Sequence, residues 1–141
     1  MNQRQTTLLG LDPGRDKCGI AVMAVEERKL IFHQVIPSSE AIATISNLGK
    51  QFQIQQIIMG DQTTAKKWHQ DLEKSGWPAD QIIMVDERYS SLEARDRYWK
   101  MYPPKALLRL IPQGMRQPPR PVDDIVAIIL IERYLAKIAK N

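Results

Sequence analysis

TTLLGLDPGRDKCGIAVMAVEERKLIFHQVI, residues 6–36, carries the reading of the fold. Residues 6–11 form a short apolar run that ends at Asp12, where Pro13 and Gly14 break it; this reads as a buried strand followed by a turn. Residues 19–25 and 29–36 are two further strand-like runs. Glu26-Glu27-Arg28 joins them as a tight hairpin, without the Asn-Gly signal of the commonest two-residue turn. The opening is therefore expected to be a three-stranded meander.

Outward from this stretch, strands and helices alternate. Ser38 or Ser39 is placed to cap a helix whose apolar face repeats at Ala41, Ile45, Leu48 and Phe52. Residues 56–60 form a short apolar strand. Residues 63–75 form a polar helix carrying Trp68 and Leu72, stopped by Gly76 and Pro78. Residues 81–85 are another apolar strand, and Ser90 with Glu93 matches a capping box opening a helix to Met101. Residues 103–121 hold six of the nine prolines together with Gly114, so a long loop is expected, with one helical turn around 106–110. Pro121-Val122-Asp123 then opens a last helix that runs through the isoleucine-rich residues 125–131 to Lys140. A meander followed by strand–helix alternation predicts an α/β fold: one domain over residues 1–141, built on a mixed five-stranded sheet with helices on both faces.

The chain has 141 residues, 43% hydrophobic and 26% charged, enough for one real core. The longest apolar run, residues 125–131, falls far short of the roughly 20 residues a spanning helix needs, which excludes a membrane partner of that kind. No basic-then-apolar leader opens the chain, and Cys18 is the single cysteine, so a reducing, cytoplasmic setting is expected. The net charge is +4, and its distribution says more than its sum: from Arg97 to Val122 there is no acidic residue.

Three acidic positions stand where elements end or begin. Asp12 ends the first strand, Glu87 follows the strand 81–85, and Asp123, with Asp124 beside it, opens the last helix. Ligands of such sheets bind beyond the carboxyl ends of the strands. Carboxylates converging there would repel one another, and hard divalent cations would relieve the repulsion. Two such cations support in-line displacement at phosphorus. Each residue also has an ordinary role: Asp12 in a turn, Glu87 in an ion pair with Arg88, Asp123 in a first helical turn. The two histidines, His33 and His69, have no zinc-like spacing.

Residues 8–22, LLGLDPGRDKCGIAV, resemble the opening of YqgF-type and RuvC-like nucleases. Residues 85–95, VDERYSSLEAR, resemble that family's Asp-Glu-Arg-Leu-Ser-Thr-x-Glu-Ala motif, and residues 122–135, VDDIVAIILIERYL, its C-terminal helix. The matches are collinear and cover nearly the whole chain. The resemblance implies a ribonuclease H-like fold and a metal-dependent nuclease. Asp12, Glu87 and Asp123 would be its catalytic acids, and these with Asp124 would hold Mg²⁺ or Mn²⁺. The family is described as Holliday-junction resolvases and is linked to trimming of ribosomal RNA precursors, so the implied partner is a four-way DNA junction or such an RNA. The chain departs from the pattern at Asp16, where a lysine is usual and Lys17 is displaced by one. It departs again at Gly60-Asp61-Gln62-Thr63-Thr64, which lacks a proline. Asp61 is either a further acid of the site or, the preferred reading, a cap for the helix that follows. The loop 103–121 is longer and richer in proline than the family's connection.

Arg95, Arg97, Lys100, Lys105, Arg109, Arg116 and Arg120 lie between two of the acids in sequence, with Tyr98, Trp99 and Tyr102 among them. The basic residues are expected to contact phosphates; Tyr98 and Trp99 are expected to pack in the core rather than stack on bases. Two other readings remain at this point. A nucleic-acid-binding module that keeps the fold without catalysis predicts salt-sensitive binding and no metal requirement. An ATPase or sugar-kinase-like protein shares the Asp-x-Gly turn but needs two domains.

Overall fold

The computed structural model describes residues 6–140. Five strands, β1 (Thr7–Asp12), β2 (Lys17–Ala24), β3 (Lys29–Pro37), β4 (Gln56–Gly60) and β5 (Ile82–Val85), form one sheet in the order β3-β2-β1-β4-β5. The first three are an antiparallel meander, while β4 and β5 run parallel to β1. Helices α1 (Ala41–Phe52), α2 (Ala65–Lys74), α3 (Ser90–Met101) and α4 (Asp123–Ala139) follow in the expected alternation.

Period-two alternation divides the side chains of β1 between two cores. Leu9 and Leu11 join Ala41, Ile45 and Leu48 of α1 and Leu72 of α2. Leu8 joins Ala94, Tyr98 and Trp99 of α3 and the buried run 125–131 of α4. Every residue of β1 is buried, as a central strand covered on both faces must be. The isoleucine-rich run is helical because its length and all-round burial suit a helix laid across the sheet. Truncating a fully buried member such as Ile129 to alanine would cost about 2–5 kcal/mol. Gly10 lets this helix lie directly on β1, since a Cβ there would stand 2.3 Å from the Ala127 carbonyl oxygen.

Several local expectations are corrected. Neither Ser38 nor Ser39 caps α1, which has Glu40 at its cap position; the Ser38 hydroxyl instead donates to the Gly14 carbonyl at 2.9 Å. The capping box at Ser90 does not form. Ser90 is the buried first residue of α3, and Tyr89 occupies the cap position without a side-chain hydrogen bond. Glu93 turns to Arg133 instead, at 2.6 Å. Helix α2 starts at Ala65 rather than at residue 63, and no side chain caps it, so Asp61 does not have the capping role preferred for it.

Residues 103–121 contain two short 3-10 turns, Ala106–Leu110 and Gln113–Met115. Arg116 braces them by donating to the carbonyls of Leu108 and Ile111 at 2.9 and 2.7 Å, with its guanidinium 5.9 Å from the centre of the Trp99 ring. Tyr98 and Trp99 are core residues, as expected, packed edge to face at 5.0 Å. No helix among the described residues is long and apolar enough to cross a membrane.

Candidate active site

The site lies at the carboxyl end of β1, where three elements deliver one carboxylate each. Asp12 is the last residue of β1 and is 7% exposed. Strand alternation puts its side chain on the same face as Leu8 and Gly10, toward α4. Across the antiparallel ladder Asp12 pairs with Gly19. A Cβ on Gly19 would stand 1.8 Å from the Asp123 carbonyl oxygen, so the missing side chain lets the first turn of α4 settle over β2. That seats Asp123, the first residue of α4, beside Asp12. Glu87 lies two residues beyond β5, and its carboxylate rests over Gly60 at the end of β4, where a Cβ would meet Glu87 oxygens at 2.7–2.8 Å. Gln62 donates to Glu87 Oε2 at 2.8 Å and so orients the carboxylate.

The electrostatics record this convergence. Burial pushes the Asp12 carboxyl up to about 8, with the charges of Asp123 and Glu87 adding to the effect. Burial also raises Glu87, against the hydrogen bond from Gln62, and nearby Asp61 adds to the rise. The Cys18 thiol is pushed up to about 12, first by burial and then by Asp12 and Asp123. It is therefore an inert core group and no nucleophile. Asp12 Oδ1 and Glu87 Oε1 are buried without a hydrogen-bond partner. Orphaned buried oxygens are costly, and these two face like charges.

Among the described residues no group of three or more His, Cys, Asp or Glu side chains is arranged to hold a metal ion. The donors nonetheless suit a hard divalent cation: they are carboxylate oxygens, two are unpartnered, and mutual repulsion favours a proton that such a cation would replace. Asp61, exposed at the end of β4, lies close enough to raise Glu87 and adds a fourth acid at the rim.

Asp124 is not with the others. It is 2% exposed and bridges His33 Nδ1 at 2.6 Å and Arg120 at 2.9 Å. Burial alone would raise its carboxyl, but the hydrogen bonds and charges of Arg120 and His33 outweigh that and hold it below the usual range. Its two oxygens, expected from the sequence to help hold a cation, are thus engaged by His33 and Arg120. His69 pairs with Glu73 on α2 at 2.6 Å.

The basic residues divide as well. Arg97 is engaged by Glu132 through two hydrogen bonds of 3.0 and 2.6 Å. Arg116 braces its loop, Arg109 donates to the Pro104 carbonyl at 3.1 Å, and Arg120 is tied to Asp124 with Tyr98 and Tyr102 beneath it. Arg95, Lys100 and Lys105 are exposed, and among the described residues their side chains enter no ion pair. At the divergent turn, Asp16 and Lys17 point to solvent, and the Asp16 carbonyl accepts from Ser38 N at 2.9 Å.

Sequence reasoning missed Gln62, Gly60, Gly19 and the His33–Asp124–Arg120 bridge. A glycine opposite an acid that ends or follows a strand is a legible signal for the second and third. Nothing local marks the bridge, which joins positions 91 residues apart.

Solved structures share this architecture. Thermus thermophilus RuvC in complex with a Holliday junction substrate superimposes with a TM-score of 0.59 at 19% identity, over 94% of this chain and 96% of that one. The large terminase nuclease from the thermophilic phage G20c gives 0.52 at 15% identity, over 89% and 80%. With the strand order above, these likenesses establish the ribonuclease H-like fold. A protein of Xanthomonas oryzae pv. oryzae named "Putative pre-16S rRNA nuclease" is 25% identical, over 92% of this chain and 87% of its own length. The family model described as RuvX, Holliday junction resolvase, matches residues 6–137. The chain is thus a member of the RuvX family of Holliday junction resolvases, a nuclease and hydrolase family.

Proposed function

We propose that this chain hydrolyses phosphodiester bonds in a four-way DNA junction or a ribosomal RNA precursor, with Asp12, Glu87 and Asp123 as its catalytic acids and Mg²⁺ or Mn²⁺ as its cofactor. The observation that carries the reading is the convergence of three carboxylates from separate elements on two buried, unpartnered oxygens. When bound, divalent cations supply activation of water and stabilisation of the leaving oxygen. Asp12, fixed at the end of the central strand, gives the site its rigid point. Gln62 holds one Glu87 oxygen and leaves the other facing inward. Arg95, Lys100 and Lys105 neutralise phosphates of the bound strand, a smaller set than the seven basic residues expected from the sequence to do so.

A cytoplasmic location fits this reading, since the substrates are there and the one cysteine is a buried free thiol. The test is cleavage of labelled single-stranded RNA, duplex DNA and a four-way junction, with Mg²⁺, Mn²⁺ or EDTA, beside Asp12→Asn. Metal-dependent cutting lost in the variant is expected. Equal binding by both proteins with no cutting of any substrate would sink the proposal in favour of a binding module.

A further inference from the structure

Beside Glu87 the chain keeps a bulky ring in a strained position. Tyr89 has φ +62° and ψ +8°, the left-handed region that side chains with a Cβ disfavour. The residue is 76% exposed, so packing does not offset the strain. The position just before a helix favours Ser, Thr, Asp, Asn or Gly, and a tyrosine there makes no capping hydrogen bond. Strain of this kind gathers at functional sites.

The ring borders a cleft of about 790 Å³ between the end of β5, the start of α3 and the later turns of α4, within the ~300–1,000 Å³ range of ligand pockets. Met84, on the edge strand and 41% exposed, supplies an apolar surface. The charges around it balance: Arg88 pairs with Asp86 at 3.1 Å and Arg133 with Glu93 at 2.6 Å, and Asp61 and Lys137 add one charge of each sign. Such a cleft neither repels a polyanion nor grips a phosphate. It offers a flat aromatic face, an apolar surface and N–H donors at the edges, which is the chemistry that holds a nucleobase. Two residues of chain place the Tyr89 backbone within about 7 Å of that of Glu87, so the base it reaches belongs to a nucleotide next to the one being cut.

We propose that Tyr89 stacks on an unpaired base flanking the scissile phosphate, with this cleft as the seat of that base. The proposal rests on the nuclease reading above and names a substrate-selecting residue of the same site. It favours nucleic acid opened at the point of cutting over continuous duplex.

The test uses the full chain in EDTA, so that nothing is cut. A four-way DNA junction and a single-stranded RNA each carry 2-aminopurine at one position at a time. Wild type should quench the fluorescence at one position. Tyr89→Ala should abolish that quench and weaken binding about 5- to 100-fold, the range of one aromatic stack, while Tyr89→Phe and Tyr89→Trp keep both. Tyr89→Gly should bind as weakly as Tyr89→Ala yet melt at a higher temperature than wild type, because glycine accepts the left-handed backbone. No quench at any position, an alanine variant that binds and quenches like wild type, or a glycine variant that melts lower would each overturn the proposal. So would conversion of a dimer to a monomer by Tyr89→Ala with the quench intact, since this face would then be a contact between copies. The two readings fail separately. A Tyr89-dependent quench with no cutting in Mg²⁺ would sink the nuclease reading alone, whereas cutting without such a quench would sink the stack alone.

Discussion

Asp12 and Asp124 are both buried carboxyls near the start of α4, and their surroundings drive them in opposite directions. Asp12 faces Glu87 and Asp123, so burial and like charge add and its carboxyl rises to about 8. Asp124 faces Arg120 and His33, whose hydrogen bonds and charges overcome its burial and lower it. Burial alone therefore does not set the direction in which a buried acid is shifted; the sign of the partners does. An acid among acids needs a cation from outside. An acid held by an arginine and a histidine has already been satisfied and fastens the fold.

The largest expected difference is in cleavage. Asp12→Asn should lower it by more than the 10–100-fold typical of outer-shell residues, with junction binding preserved. Asp124→Asn should stay within about 10-fold of wild type, the lower end of that range. Equal losses would merge the two acids into one site. Gly60→Ala tests the same site from its floor: the added methyl displaces the Glu87 carboxylate, and cleavage should fall about 10–100-fold.

The second contrast is in stability. Asp124→Ala removes a partner from Arg120 and His33, which are 35% and 23% exposed and so can partly turn to water. The cost should be about 1–3 kcal/mol, or about 3–10 °C in Tm. Thermal unfolding checks this, and an unchanged Tm would make the bridge incidental.

The pH dependence should carry opposite signs. Between its ordinary value of 3.8 and about 8, Asp12 binds more proton in the folded chain than in the unfolded one. Its contribution is full below that window and is lost as pH rises through it. In EDTA, the Tm of wild type should thus fall more steeply over this range than that of Asp12→Asn, and Mg²⁺ should restore wild type at the alkaline end. Asp124 contributes above its ordinary value, and that part is lost as pH falls through its lowered folded value. A wild-type slope matching that of Asp12→Asn would remove the acidic cluster from the account.

The smallest effect concerns the basic surface. Lys105→Ala or Arg95→Ala should each reduce the salt slope of duplex binding by about 0.9. Arg97→Ala should leave it unchanged, since Glu132 already engages that guanidinium.

Much of this architecture was legible in the residues. The meander, the alternation after it, the helical character of 125–131 and the placement of Asp12, Glu87 and Asp123 at element ends all follow from periodicity and breakers, which act over a few residues. Local signals misled where a long-range contact competed for the same side chain. Ser90 and Glu93 have a capping-box spacing, yet Ser90 is taken by the core and Glu93 by Arg133, 40 residues away. Arg97 reads as a free cation, yet Glu132, 35 residues away, engages it.

Sequence by itself determined which acids stand at the ends of strands and helices, because the order of apolar runs and turns sets that. Only the tertiary structure decided which of Asp123 and Asp124 lies beside Asp12. Neighbouring residues on a helix project roughly 100° apart, so the way α4 rests on Gly10 and Gly19 turns one carboxylate toward Asp12 and the other toward His33 and Arg120. That rotation depends on contacts between distant parts of the chain, and no pattern within residues 122–135 encodes it.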